Sequence, residues 1–186
     1  MNRKLSTILM VVFVALVFVA CAGDKKKNNK QQALSTMEES KGDSTMYGVC
    51  GDNTGMHVLE LITVQGDTLS YVFDVEDGAT VKGGILAGDR LAVVGYKNAD
   101  GENEATEVLN LTTLMGKWRS IDKQFELMED GTVLSGVKEE SQPWTAWKVY
   151  NGKLLLNKDT FSVNALGADS LYLENAHGIF TFTRQK

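Results

Sequence analysis

The chain is expected to fold as two small antiparallel β domains, all-β throughout, behind an export signal and a flexible tether. Three observations lead there. After residue 43 the apolar residues recur in short alternating runs, the period of strands with one buried face. Glycine, asparagine and acidic residues break those runs at intervals too short for helices. The first 43 residues share none of this pattern.

The elements follow in chain order. In residues 1–20, Arg3 and Lys4 precede an unbroken apolar run of 13 residues, Ile8 to Ala20. A helix needs about 20 apolar residues to cross a bilayer. A basic start and a shorter apolar core instead fit a secretory signal peptide. Residues 21–43 read as a tether. Its stretch Lys25-Lys26-Lys27-Asn28-Asn29-Lys30-Gln31-Gln32 offers almost nothing to bury, so ordering it has no compensation. Its lysines also suit anionic lipid head groups.

Residues 44–113 are expected to form about five strands. His57 to Thr63 is one run, and Leu69, Tyr71, Phe73 and Val75 alternate through the next. Gly83-Gly84 interrupts a third, as at a bulge or barrel corner. Leu91 to Val94 and then Val108, Leu109 and Leu111 complete the set, with Asn98-Ala99-Asp100-Gly101 as a hairpin tip. Residues 114–186 divide into eight strand candidates: Lys117–Ile121, Gln124–Met128, Thr132–Ser135, Thr145–Tyr150, Lys153–Leu156, Thr160–Leu166, Ser170–Glu174 and Ile179–Arg184. Turn signals separate them, Asn151-Gly152 being the strongest. Even spacing predicts an up-and-down meander closing into a barrel. The linker at Leu114-Met115 lacks Pro, Gly or Ser, so the two domains are expected to pack rather than swing.

Three resemblances attach to particular residues. Phe18-Val19-Ala20-Cys21 resembles the lipobox of bacterial lipoproteins, with Phe18 where leucine is usual. That family implies a diacylglyceryl group on Cys21, cleavage before it and acylation of the new amino terminus. Two or more acyl chains, at about 0.8 kcal/mol per buried methylene, hold a protein firmly to a membrane. Ala22 after the cysteine favours the outer membrane in the Gram-negative sorting rule. The stretch Gly88-Asp89-Arg90-Leu91-Ala92-Val93-Val94-Gly95 loosely resembles an OB-like small barrel. Gly116-x-Trp118 on a first strand, with Arg184 closing the last, resembles the lipocalin-like domains. That resemblance covers residues 114–186 and implies a tryptophan at the barrel floor with the arginine packed across it.

Charge removes one class of partner. Residues 42–113 carry three basic groups (Lys82, Arg90 and Lys97) against twelve acidic ones, a net −9, while residues 114–186 are neutral. Nucleic-acid binding draws on clustered lysine and arginine, so no nucleic-acid partner is expected. His57 and His177 stand apart, without the three or four spaced ligands of a zinc site. The acidic clusters Asp74, Glu76, Asp77 and Asp100, Glu102, Glu104 lack the ligand order of a calcium loop. No nucleophile sits in a recognisable elbow and no glycine loop cradles phosphate, so no catalytic, cofactor-binding or metal residue is assigned. With Cys21 lipidated, Cys50 has no partner and is expected to be a buried small residue. Trp147 shares a face with Thr145 and Val149 and is placed in the core; Trp144 falls on the opposite face and is the candidate surface contact. Nine aromatics in 73 residues predict a barrel filled by side chains rather than hollow. The expected function is a membrane-tethered, non-catalytic binding or protein-interaction module of the envelope. The alternative is a lipocalin-like carrier of a small apolar ligand, with an enzyme third.

Overall fold

The computed structural model describes residues 42–73, 80–137 and 140–186. The expected signal peptide, Cys21, nearly all of the expected tether, Val75 and the cluster Asp74, Glu76 and Asp77 lie outside the described residues. What is described is all-β apart from one helical turn, in two sheets.

The first sheet contains β1 (Met46–Cys50), β2 (Val58–Thr63), β3 (Thr68–Val72), β4 (Thr80–Lys82), β5 (Arg90–Lys97) and β6 (Asn103–Asn110). β1 lies between β2 and β5, β6 follows β5, and β6 also runs parallel to β3. These contacts close a five-stranded ring, to which β4 adds in parallel along β6. The sheet is therefore mixed where antiparallel pairing was expected, because alternation sets which face a residue takes and says nothing of a distant partner's direction. β1 was not among the expected strands. Gly48 interrupts its apolar pattern, and a Cβ there would lie 2.5 Å from the Ile62 carbonyl oxygen across the pair. The hairpin tip after β5 is as expected: Asn98 Oδ1 accepts from the amides of Asp100 at 3.1 Å and Glu102 at 3.0 Å. Gly83 and Gly84 both have positive φ and form the corner after β4.

The second sheet contains β7 (Gly116–Arg119), β8 (Gln124–Leu127), β9 (Val133–Ser135), β10 (Trp147–Tyr150), β11 (Lys153–Leu156), β12 (Asp159–Leu166), β13 (Ser170–Asn175) and β14 (Gly178–Arg184). All eight expected strands are present, each antiparallel to its sequence neighbour. β14 returns to β7 through Thr183↔Arg119 and Arg184↔Trp118. β9 and β10 meet at a single bridge, Thr132↔Ala146, flanked by the Trp147 amide donating to Gly131 O at 2.7 Å. Asn151 and Gly152, both at positive φ, make the turn between β10 and β11 that suits the twist of two paired strands. Several expected strands are shorter than read, β10 at its start and β7 at its end: β7 stops at Arg119, and Ser120 turns the chain by donating its amide to Lys123 O at 2.7 Å.

Between the sheets, Leu111–Leu114 forms one helical turn, α1. Asn110, itself buried, caps it by accepting from the Thr113 amide at 2.9 Å and donates to Gly84 O and to Asp89. Leu111 and Leu114 are buried with Ala92 and Leu109 in the same cluster as Trp118, Leu127, Trp147, Leu154 and Leu171. One core therefore runs through the junction into the second barrel. A smaller core of Leu59, Leu61, Tyr71, Phe73, Leu91 and Val93 fills the first ring.

Candidate functional site: the two ends of the second barrel

An up-and-down meander sends alternate turns to opposite ends. The turns at residues 128–132, 151–152 and 167–169, the start of β7 and the end of β14 share one end, the floor. The turns at 120–123, 157–158 and 176–177 and the long segment between β9 and β10 share the other, the mouth.

The first barrel covers the floor. Tyr47 donates its hydroxyl to Val149 O, the Gly83 amide donates to Leu166 O at 3.1 Å, and Arg90 pairs with Glu129. Burial, with the Asp43 carboxylate adding to it, pushes the Tyr47 phenol far above its ordinary range, so it remains a donor. Asn151 forms a clasp with the chain entering β1: its side chain accepts from the Ser44 amide at 2.7 Å and donates to Gly42 O at 3.1 Å. Glu107 also faces this seam, close to Gly152. Burial raises its pKa against the opposing pull of Lys153 and Lys82.

At the centre of the floor are Trp118 and Arg184. The guanidinium carbon lies 4.1 Å from the indole centroid. Trp118 is fully buried and donates Nε1 to Leu114 O at 2.8 Å. Arg184 donates to Met115 O at 2.8 Å and to Thr113 O. Burial lowers the Arg184 pKa, against Asp169, but from a value so high that the charge persists. Gly116 is needed beside them: its φ is +113, and a Cβ would lie 2.7 Å from the Arg184 guanidinium.

The mouth differs from what the sequence suggested. Trp144, expected on the outer face, is buried. It packs edge-on against Phe125 at 5.1 Å and Phe161 at 5.7 Å, and Lys123 Nζ lies 4.2 Å from its ring centroid. Alternation counted back from Trp147 fails because β10 begins only at Trp147. Ahead of it, Asn157 Oδ1 accepts from the amides of Thr145 at 2.8 Å and Ala146 at 3.1 Å. The two exposed residues held there, in place of one, put Trp144 and Trp147 both inside. Lys123 also pairs with Glu140, which accepts from the Ser135 hydroxyl at 2.6 Å. Burial alone would raise the Glu140 pKa, but the hydrogen bonds from Lys123 and Ser135 and the lysine charge hold it below the usual carboxylate range. Trp118, Phe125, Trp144, Trp147, Phe161 and Phe182 thus occupy the interior. Tyr172 faces out.

Beside the mouth, a groove of about 810 Å³ opens between β14 and the turn after β7, lined by half-buried Phe180 as well as by outward-facing Ile179, Thr181 and Thr183. It was not anticipated. It follows from the mismatch between β7, with four residues, and β14, with seven. Ile121 at 100 % exposure and Ile179 at 65 % border it.

The remaining sequence candidates stay apart. His57 and His177 are both exposed, the latter in a turn fixed by Asn175. Among the described residues no group of three His, Cys, Asp or Glu side chains could hold a metal. Cys50 is buried, and its thiol contacts Thr54 Oγ1 at 3.2 Å. Burial raises its pKa; the Thr54 contact opposes this, and Asp89, Glu60 and Asp52 add to it, so the thiolate is disfavoured. No family model, curated protein or solved structure matches the chain.

Proposed function

We propose that this protein is a lipid-anchored, non-catalytic interaction module of the bacterial cell envelope, tethered through Cys21 on the outer membrane and recognising a protein partner by its outer surface. The observation that carries the reading is that the second barrel is filled and stoppered. Its interior holds six large aromatic rings and leucines, the first barrel covers its floor, and Trp144 lies across its mouth. Interiors packed in this way leave few voids larger than a water molecule. A carrier of a small apolar ligand encloses it in a mostly apolar pocket, whereas the groove beside the mouth is open and bordered by Arg119, Asp122 and Lys123 as well as by Ile121 and Ile179. Recognition is therefore assigned to the exterior, and the OB-like and lipocalin-like likenesses are taken as likenesses of scaffold rather than of ligand.

The test has two measurements on full-length protein from membranes. Chemical cross-linking in intact cells should yield a discrete covalent adduct with an envelope protein. Native mass spectrometry after gentle detergent release should show the chain with its own acyl groups and no further lipid. A stoichiometric fatty acid that survives release would overturn the reading in favour of a carrier. Replacing Cys21 with Ala should abolish lipid labelling and release the protein from the membrane fraction; unchanged labelling would remove the anchor.

A further inference from the structure

We infer that the free edge of β14 at the barrel mouth is a strand-addition site for an extended acidic-x-apolar peptide segment of a protein partner. This rests on the interaction-module reading above and names its surface.

β14 is paired along its whole length with β13, from Asn175↔Gly178 to Ser170↔Thr183. On its other side it is paired with β7 only at Thr183 and Arg184. The direction of the unpaired groups follows from the ladder. The Gln185 amide donates to Lys117 O at 2.9 Å on the β7 side, and the Arg184 amide donates to Asp169 O at 3.0 Å on the β13 side. Backbone groups alternate along a strand. Thr183, Thr181 and Ile179 therefore aim their N–H and C=O toward β7. Thr183 meets Arg119, but β7 has ended before it can meet Thr181 or Ile179. Among the described residues, no strand partners the four backbone groups that point into the groove. An unpaired edge of this kind is a template for another chain, which it binds by main-chain hydrogen bonds and selects by alternate side chains.

The groove also fixes which side chains fit. A strand continuing the line of β7 antiparallel to β14 places one residue opposite Thr181 and a later one opposite Ile179, both facing outward. The first lies two positions beyond Arg119 on the line of β7 and on the same face, and Arg119 is exposed and has no carboxylate partner among the described residues. Residues two apart along a strand line stand about 7 Å apart on one face, within reach of a long charged side chain. That position takes glutamate or aspartate. The second adjoins Ile179 and, across the groove, the fully exposed Ile121, and takes a valine, isoleucine or leucine. The segment is thus recognised by backbone, by one charge and by one apolar side chain, in the order acidic-x-apolar.

The probe is a blocked pentapeptide with glutamate second, valine fourth and threonine elsewhere. It is titrated against isotope-labelled full-length protein in detergent micelles and followed at single amides. The expected result is saturable shifts centred on Ile179 and Thr181, with at least tenfold slower hydrogen exchange at those two amides. The same peptide N-methylated at its second and fourth positions should produce neither effect. Arg119→Glu should weaken the glutamate peptide about tenfold and favour a lysine counterpart, with amide spectra elsewhere unchanged. Shifts centred away from β14, equal binding of the N-methylated peptide, or no response at millimolar peptide would each overturn the site. The cross-linking of the whole protein is read separately: an adduct there together with a silent edge leaves the module reading standing and removes only this surface.

Discussion

The two ends of the second barrel use the same pair of groups to different effect. At the floor a guanidinium lies 4.1 Å from the ring of Trp118, and at the mouth an ammonium lies 4.2 Å from the ring of Trp144. Arg184 joins two parts of the chain distant in sequence, because its planar fork reaches from the last strand to the carbonyls of Thr113 and Met115 while its face covers Trp118 just beyond them. Among the described residues the Lys123 ammonium pairs with Glu140 alone, on the segment that carries Trp144. The floor pair therefore welds β7, β14 and α1 into a junction. The mouth pair pins one loop over an opening. A cation over an aromatic ring contributes about 0.5–2 kcal/mol in either place, so the backbone carbonyls that the cation also satisfies make the difference.

That contrast can be broken at either end. Trp118→Ala is expected to be the most damaging single change, costing about 3–5 kcal/mol as large aromatic truncations do in close-packed sites. Urea unfolding followed by far-ultraviolet circular dichroism measures it, and a loss below 2 kcal/mol would mean that the floor is not the keystone. Arg184→Ala follows at about 2–3 kcal/mol, since buried carbonyls left unpaired cost about 1–3 kcal/mol each before water reaches them. Arg184→Lys should recover only part of this, because an ammonium cannot span both carbonyls. Trp144→Ala is expected to cost about 2 kcal/mol, less than its floor counterpart because the space it leaves adjoins solvent. Its sharper signature is access: the variant should bind an apolar fluorescent dye that the parent ignores, and equal dye binding would show that Trp144 does not stopper the barrel.

The smallest effects are electrostatic and have opposite signs at the two ends. Glu140 has a depressed pKa in the folded state, so its contribution is complete above the unfolded value and lost as pH falls through the folded one. Glu140→Gln should cost under about 1 kcal/mol at pH 7, and the cost should shrink as the pH falls below the ordinary carboxylate range. Glu107 has a raised pKa, so its charge opposes folding at neutral pH and the penalty is gone below the ordinary carboxylate range. Glu107→Gln should raise the melting temperature slightly at pH 7 and leave it unchanged near pH 4. Parallel responses of the two variants would contradict the assignment of one carboxylate to a supportive site and the other to a seam that disfavours its charge.

The eight strands of the second barrel were legible because, apart from the closing pair β14 and β7, each strand meets its sequence neighbour, and turns carry their own chemistry, such as the paired positive φ of Asn151 and Gly152. Trp118 and Arg184 were reached through a resemblance, and the ladder pairs them directly. Trp144 was misplaced because a period of two holds only inside a strand, and Asn157 adds a residue to the count just outside one. β1 was hidden by Gly48, a residue that depresses strand propensity and is required by the close approach of β2. The parallel pairing of β3 with β6 and the groove beside β14 had no local signal, because both depend on where another strand runs or stops.

The Asn151 clasp has a mechanical consequence. A pull on the chain ahead of Gly42 does not arrive first at β1. It arrives at the bonds from Ser44 and Gly42 to Asn151, which sits on the tip of a tight hairpin in the other barrel. Those bonds lie outside both ladders and can part without unzipping either. They act as a sacrificial link: tension is spent on a surface latch before any of it peels Met46–Cys50 from its neighbours, and the latch can reclose when the load is removed.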